Sequence, residues 1–175
     1  MAVLNVTPDS FSDGGRFLDA DRAVERALHQ MRLGADLIDV GGESTRPGAE
    51  RISVDEELSR VVPVIEALVR EEVPVSIDSM RAEEARAAVT AGAVLVNDVS
   101  GGLADAAMLP YVARVGVPVV LMHWRGHSQQ MHLRARYPGG VVQEVAQERS
   151  DRLAAAVAAA VEAEVEMDEI QRQAG

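Results

Sequence analysis

The sequence predicts an α/β fold, a parallel sheet with helices packed outside it. Two observations carry that expectation. Short runs rich in Val, Leu and Ile, at 2–6, 36–40, 73–78, 94–99 and 117–123, alternate with stretches of helical periodicity. Such runs suit strands buried on both faces. Each run also ends in a polar cluster at its C-terminal side, where ligands bind in parallel α/β proteins.

The elements follow in order. The run 2–6 is the first strand, and the helical pattern after it starts near Asp21 and runs to Leu33. Gly34 fits a helix C-terminal cap, as do Gly92 and Gly116 after the helical patterns at 81–91 and 105–114. A further helix is expected over Val54–Arg70. Pro74 and Pro118 open their strands, where a missing N–H is tolerated. A long loop spans 124–140, and from Val141 to Ala174 the chain has neither Gly nor Pro. There Val145, Leu153, Val157, Val161 and Val165 draw a thin apolar stripe, predicting one long helix, 141–174, inside a single domain of 1–175. A (β/α)₈ barrel and a doubly wound open sheet both fit. The absence of GxGxxG or GxxxxGK[ST] after the first strand lowers the second.

Composition narrows the function. Of the residues, 47% are hydrophobic and 3% aromatic, so the core must be aliphatic. There is no apolar run long enough to span a bilayer and no signal-peptide pattern, which predicts a cytoplasmic protein. With no Cys there is no disulfide, thiolate metal site or cysteine nucleophile. The net charge of −11 argues against nucleic acid and anionic membranes as partners. Every basic residue is Arg, excluding Schiff-base, P-loop and general-base lysines.

The polar clusters carry the chemistry. The first is Asn5-Val6-Thr7-Pro8-Asp9-Ser10-Phe11-Ser12-Asp13-Gly14-Gly15, far more polar than a turn requires. Asn5 offers an amide oxygen, a ligand type suited to Mg²⁺. The second runs from Asp39 to Gly48. In it Ser44, Thr45 and Arg46 combine hydroxyls with a guanidinium, which suits a phosphate or pyrophosphate. Asp78 and Asn97, on adjacent strands, offer acceptor and donor groups to a flat heterocycle with an amidine-like edge, and Met122 an apolar cover for its ring. Taken singly, each residue has a blander reading. Asn5 would be a turn-former, Ser79 an N-cap, Arg46 a surface charge, Asp39 a buried structural carboxylate and Met122 core. Glu56-Glu57 and Glu83-Glu84 are expected on solvated faces. The spacing of His123, His127 and His132 fits no strong metal motif.

In combination the loops resemble those of dihydropteroate synthases. The motifs are Leu4 to Gly15, Asp39 to Gly48, Val75-Ser76-Ile77-Asp78-Ser79, Val96-Asn97-Asp98-Val99-Ser100-Gly101-Gly102 and Val120-Leu121-Met122-His123. The resemblance covers 1–140 and is weak in the last helix. It implies a (β/α)₈ barrel, of which this chain supplies about five of eight units. It also implies a transferase of folate biosynthesis that joins 6-hydroxymethyl-7,8-dihydropterin pyrophosphate to p-aminobenzoate with Mg²⁺. On that resemblance Asn5 holds the Mg²⁺–pyrophosphate, and Asp78, Asn97, Val99 and Met122 contact the pterin. Phe11 with its neighbours, and Ser44, Thr45, Arg46 and Pro47, form the two loops over p-aminobenzoate and pyrophosphate. The family's later Lys-bearing strand motifs and its Arg-x-His pair do not occur in this sequence. A C-terminally truncated chain, with a homodimer or a completing partner covering open strand edges, is therefore expected, and weak catalysis by the chain alone. Two alternatives stand beside this: a non-catalytic paralogue that binds pterin or a protein, and a methyltetrahydrofolate–corrinoid methyltransferase, whose first two loops fit poorly.

Overall fold

The structure, a computed structural model, describes residues 1–7, 16–43, 52–126 and 138–174, and side chains outside 16–19 and 163–174. The elements alternate as expected: β1 (Ala2–Asn5), α1 (Arg16–Arg32), β2 (Ile38–Gly41), α2 (Val54–Arg70), β3 (Val75–Asp78), α3 (Ala82–Thr90), β4 (Leu95–Asp98), α4 (Met108–Val115), β5 (Val119–Leu121) and α5 (Val141–Ala174). The strands form one parallel sheet in the order β1-β2-β3-β4-β5. Strand order that follows chain order without reversal is the winding of a barrel, not of a doubly wound sheet. The described strands make a barrel wall that does not close, with β1 and β5 at its edges.

Strand pleating sorts the side chains onto two faces. Leu4, Ile38, Val40, Val75, Ile77 and Val96 point to the helices and are fully buried. They pack against Ala23 and Ala27 of α1, Val61, Val64, Ile65 and Leu68 of α2, Ala85 and Ala88 of α3, and Met108 and Val112 of α4. Each buried Leu, Ile or Val contributes roughly 1.5–3 kcal/mol. The registers put Val3, Asn5, Asp39, Gly41, Ser76, Asp78, Leu95, Asn97 and Val120 on the opposite face. That inner face is open at its margins, where Val3 is 51% and Val120 43% exposed.

Several local expectations change. Pro74 and Pro118 lie just before their strands and act as acceptors there, taking the N–H groups of Ile38 and Val96 at 3.0 Å. Ser79 is not the N-cap of α3. Arg81 holds that position, and Ala82 N–H donates to Asp105 Oδ2 at 2.8 Å. Asp105 thus serves α3, and α4 begins later than expected, at Met108. Ser53 caps α2 by accepting the Glu56 N–H at 3.2 Å, the first half of a capping box. Gly34, Gly92 and Gly116 follow their helices with positive φ, as expected.

Two corrections concern charge. Glu57 and Glu84 do not lie on solvated faces. Both are buried, and both bind Arg81, at 3.0 and 2.6 Å. Arg81 also donates to Ile52 O at 2.8 Å and lies 3.7 Å from Glu43. The apolar stripe of α5 is not its packing face either. Leu153, Val157 and Val161 are exposed, while Arg152 and Ala159 are buried where α5 packs on α4.

Candidate active site

The parallel register brings three of the predicted site residues, Asn5, Asp78 and Asn97, into one row across the inner face. Asn5 pairs with Gly41, Gly41 with Asp78, Asp78 with Asn97, and Asn97 with Val120. Asn5, Gly41 and Asp78 end their strands, and Asn97 and Val120 stand one residue before the ends of theirs. Gly41 separates the two oxygen-bearing side chains. A Cβ there would lie 3.5 Å from Asp78 Oδ2 and 3.6 Å from Asn5 Oδ1, so the missing side chain leaves a gap that both oxygens border.

Two residues earlier on the same face lie Asp39 and its register partner Ser76, both buried. Asn97 Nδ2 donates across β3 to Asp39 Oδ2 at 2.9 Å. That bond fixes the amide: its nitrogen faces Asp39 and its oxygen remains an acceptor. Asp39 Oδ1 and Ser76 Oγ are buried without a hydrogen-bond partner among the described residues. Asp39 is therefore buried as the bland reading had it, but its partner is a side-chain amide.

Electrostatics single out Asp78. Burial pushes its proton affinity up first, and the negative charges of Asp39, Asp98 and Glu43 push in the same direction, to a pKa of about 7 against an ordinary 3.8. Near neutral pH this carboxyl exists in both states. It accepts hydrogen bonds when ionised and gains a donor when protonated.

The exits of β4 and β5 adjoin. Asp98 is buried and fastens the turn after β4, accepting from Ser100 N–H at 2.8 Å, Ser100 Oγ at 2.7 Å and Gly102 N–H at 2.7 Å. Its carbonyl receives the Met122 N–H at 3.2 Å. Val99 is half-buried beside that turn, and Met122 is exposed rather than core. His123 binds Glu148 of α5 through Nε2, and Glu148 also holds Arg125. No group of His, Cys, Asp or Glu among the described residues is arranged to hold a metal by itself. His127 and His132 lie outside the described residues, as do Phe11, Ser44, Thr45, Arg46 and Pro47.

Sequence reasoning missed three residues. Asp98 had a signal, because Asp-Val-Ser-Gly-Gly is an Asx-turn sequence. Glu57 had one too: it shares helical phase with Val61, Val64, Ile65 and Leu68, the buried face of α2. Burial, with the hydrogen bond and charge of Glu84 and the charge of Glu43 adding to it against Arg81, pushes Glu57 up to about 9. Arg152 had no signal, being one arginine on a charged helix.

Comparison with known proteins agrees with this geometry. The family model described as pterin binding enzyme matches residues 1–169. The dihydropteroate synthase of Mycobacterium leprae is 54% identical over 154 residues, covering 88% of this chain and 53% of the relative. Among solved structures, Xanthomonas albilineans dihydropteroate synthase with 4-aminobenzoic acid is 46% identical with a TM-score of 0.80, covering 92% of this chain and 56% of that one. The same enzyme in complex with 7,8-dihydropteroate is 43% identical with a TM-score of 0.76, covering 91% and 55%. The chain spans about half the length of the curated relatives it matches. With strand order and family model in agreement, the chain belongs to the pterin-binding enzyme family.

Proposed function

We propose that this chain carries the pterin-binding wall of a dihydropteroate synthase. The reaction condenses 6-hydroxymethyl-7,8-dihydropterin pyrophosphate with p-aminobenzoate. The arylamine nitrogen forms a bond to the exocyclic CH₂ of the pterin, the C–O bond to pyrophosphate breaks, and the amine loses a proton. The products are 7,8-dihydropteroate and pyrophosphate. Relatives solved with 4-aminobenzoic acid and with 7,8-dihydropteroate support the reading. Names of synthases among the relatives favour it over a binding-only paralogue.

The observation that carries it is the pairing of Asp78 with an Asn97 amide oriented by Asp39. A pterin edge presents an amino group and ring nitrogens side by side. The Asp78 carboxylate accepts from the N–H groups, and the free Asn97 oxygen accepts another. Val99 and Met122, at adjoining strand exits, supply apolar contact to the ring. Ser44, Thr45, Arg46, Pro47 and Phe11 are proposed for the pyrophosphate and p-aminobenzoate loops on the family resemblance.

Mg²⁺ fits the donor chemistry of the row. Asn5 Oδ1 is a hard oxygen ligand bordering the open space at Gly41, and the cation would complete its shell with pyrophosphate oxygens and water. When bound it supplies charge neutralisation to the leaving group. Asn5 would hold it and Asp78 would orient the pterin beside it. No helix among the described residues is long and apolar enough to cross a membrane. A cytoplasmic biosynthetic role belongs to the same proposal. So does a homodimer or completing partner at the open β1 and β5 edges, which size-exclusion chromatography with light scattering would reveal.

Calorimetric titration with 7,8-dihydropteroate tests the reading. The wild-type chain should bind, and Asp78→Asn should weaken binding by about 10- to 100-fold, the worth of a hydrogen bond to a charged group. Equal affinity of the two proteins would refute it.

A further inference from the structure

We propose that Arg152 is a positioning residue for the pterin-facing ends of β4 and β5, acting through the main chain of Met122 and Trp124. The proposal rests on the pterin reading above for its functional consequence, though not for its geometry.

Arg152 sits on α5, an otherwise Ala- and Glu-rich helix, and is only 7% exposed. A guanidinium taken out of water needs strong partners. Here the hydrogen-bond partners are main-chain carbonyls: Nη1 donates to Met122 O and Nη2 to Trp124 O. Two carbonyls two residues apart match the two arms of the fork, a geometry that a lysine ammonium cannot reproduce. Burial lowers the proton affinity of Arg152, and the charges of Glu148 and Asp98 counter that.

The main-chain N–H of Met122 is fixed as well. Met122 N–H donates to Asp98 O at 3.2 Å. Gly101, in the turn that Asp98 fastens, has φ of +63° and presses on the same place. A Cβ there would stand 2.5 Å from Met122 O and 2.9 Å from Arg152 Nη1. The segment carrying Met122 is thus held between β4, Gly101 and the α5 guanidinium. Val99 lies on the same turn, two residues before Gly101. Met122 therefore takes its main-chain position from a lock that Arg152 closes, and Val99 adjoins that lock on the Asp98 turn. Trp124, the single Trp of the chain, lines a cavity of about 370 Å³ together with Gly101, Leu109, Arg152 and Ala155, so its fluorescence reports on the lock.

The test compares wild type, Arg152→Gln, Arg152→Lys and Gly101→Ala in the full chain. Four quantities are read: affinity for 7,8-dihydropteroate, Trp124 emission of the free protein, hydrogen exchange at the Met122 amide, and the unfolding midpoint. Arg152→Gln should weaken the ligand by at least about tenfold, shift Trp124 emission, and speed Met122 exchange at least about tenfold with β2 amides unchanged. Arg152→Lys should fall between, because it restores charge without the fork. Gly101→Ala leaves the α5 charge in place and displaces Met122 O, so it should reproduce the affinity loss. It also keeps the proposal decidable if Arg152→Gln fails to fold. An unchanged affinity in folded Arg152→Gln, with only the unfolding midpoint lowered, would overturn the proposal by showing Arg152 to be a helix anchor alone. If wild type binds no pterin, the functional reading fails by itself. Met122 exchange then decides the lock, and no local change there overturns it.

Discussion

Replacing Asp78 with Asn should stabilise the fold while damaging the site, and the gain should depend on pH. The folded carboxyl has a pKa of about 7 and the ordinary value is 3.8. The native state therefore binds a proton more tightly than the unfolded state. Between those two values the unfolded chain has released a proton that the native chain retains. Stability then falls as pH rises, by about 1.4 kcal/mol per unit. The contribution is whole below pH 3.8 and is lost by about pH 7, roughly 4 kcal/mol in all, and it stays lost above that. Asparagine removes the titration. Relative to wild type, Asp78→Asn should gain roughly 1–2 kcal/mol at pH 5 and roughly 4 at pH 8. Urea unfolding of both proteins at both pH values measures this. The difference between the two gains, roughly 2–3 kcal/mol, cancels the titrating groups that do not interact with Asp78. An identical gain at pH 5 and pH 8 would refute the claim that burial and the Asp39, Asp98 and Glu43 charges hold a proton on Asp78.

Other perturbations follow from the same packing. Glu57 is pushed up to about 9, so its contribution to stability is present below 4.5 and lost as pH rises from there to about 9. Glu57→Gln should therefore be more stable than wild type at pH 8 and show little difference at pH 4, read from thermal midpoints. Arg81→Gln strips the cation from Glu43, Glu57 and Glu84 and should cost about 3–5 kcal/mol in denaturant unfolding. The two adjacent glycines after β2 should separate binding from folding. Gly41→Ala meets nothing closer than 3.5 Å and should leave the unfolding midpoint nearly unchanged while weakening ligand binding by filling the gap between Asn5 and Asp78. Gly42→Ala puts a Cβ 2.7 Å from Glu57 Cγ and 2.8 Å from Val61 Cγ1 and should cost about 1–3 kcal/mol of stability.

The fold was legible because its signals are local. Alternation of apolar runs, glycine after the helices and proline before the strands each act within a few residues, and α2 and α5 lie where the periodicity puts them. The row of Asn5, Asp78 and Asn97 was legible because each is a polar residue at or beside the C-terminal end of an apolar strand. Its tie to Asp39 was not, because that hydrogen bond joins residues 58 apart across an intervening strand. The burial of Glu57 and Glu84 escaped because charge was read ahead of helical phase. On α5 the apolar stripe marks the helix but not the face that packs. That helix meets its neighbours through Glu148 and Arg152, whose partners are His123, Arg125 and two carbonyls. Polar packing of that kind leaves no hydrophobic period to detect.

The sign of the row's charge leads to one further expectation. Asp39, Asp78, Asp98 and Glu43 lie at or near it, and the proton affinity of Asp78, raised first by its burial, is raised further by the charges of the other three. Such a surface suits a pterin, which brings N–H donors, and opposes a pyrophosphate, which brings more negative charge. Under the proposed function the two parts of one substrate should therefore differ in their need for a cation. A pterin lacking phosphate should bind equally with and without Mg²⁺. The pyrophosphate ester should bind at least about tenfold more tightly with Mg²⁺ present, and Asn5→Ala should abolish most of that enhancement without changing the affinity for the phosphate-free pterin. Calorimetry with the two ligands, with Mg²⁺ and with chelator, supplies the four affinities for each protein. Equal affinity of the ester in Mg²⁺ and in chelator would refute the argument, since the row would then tolerate a bare pyrophosphate despite its carboxylates.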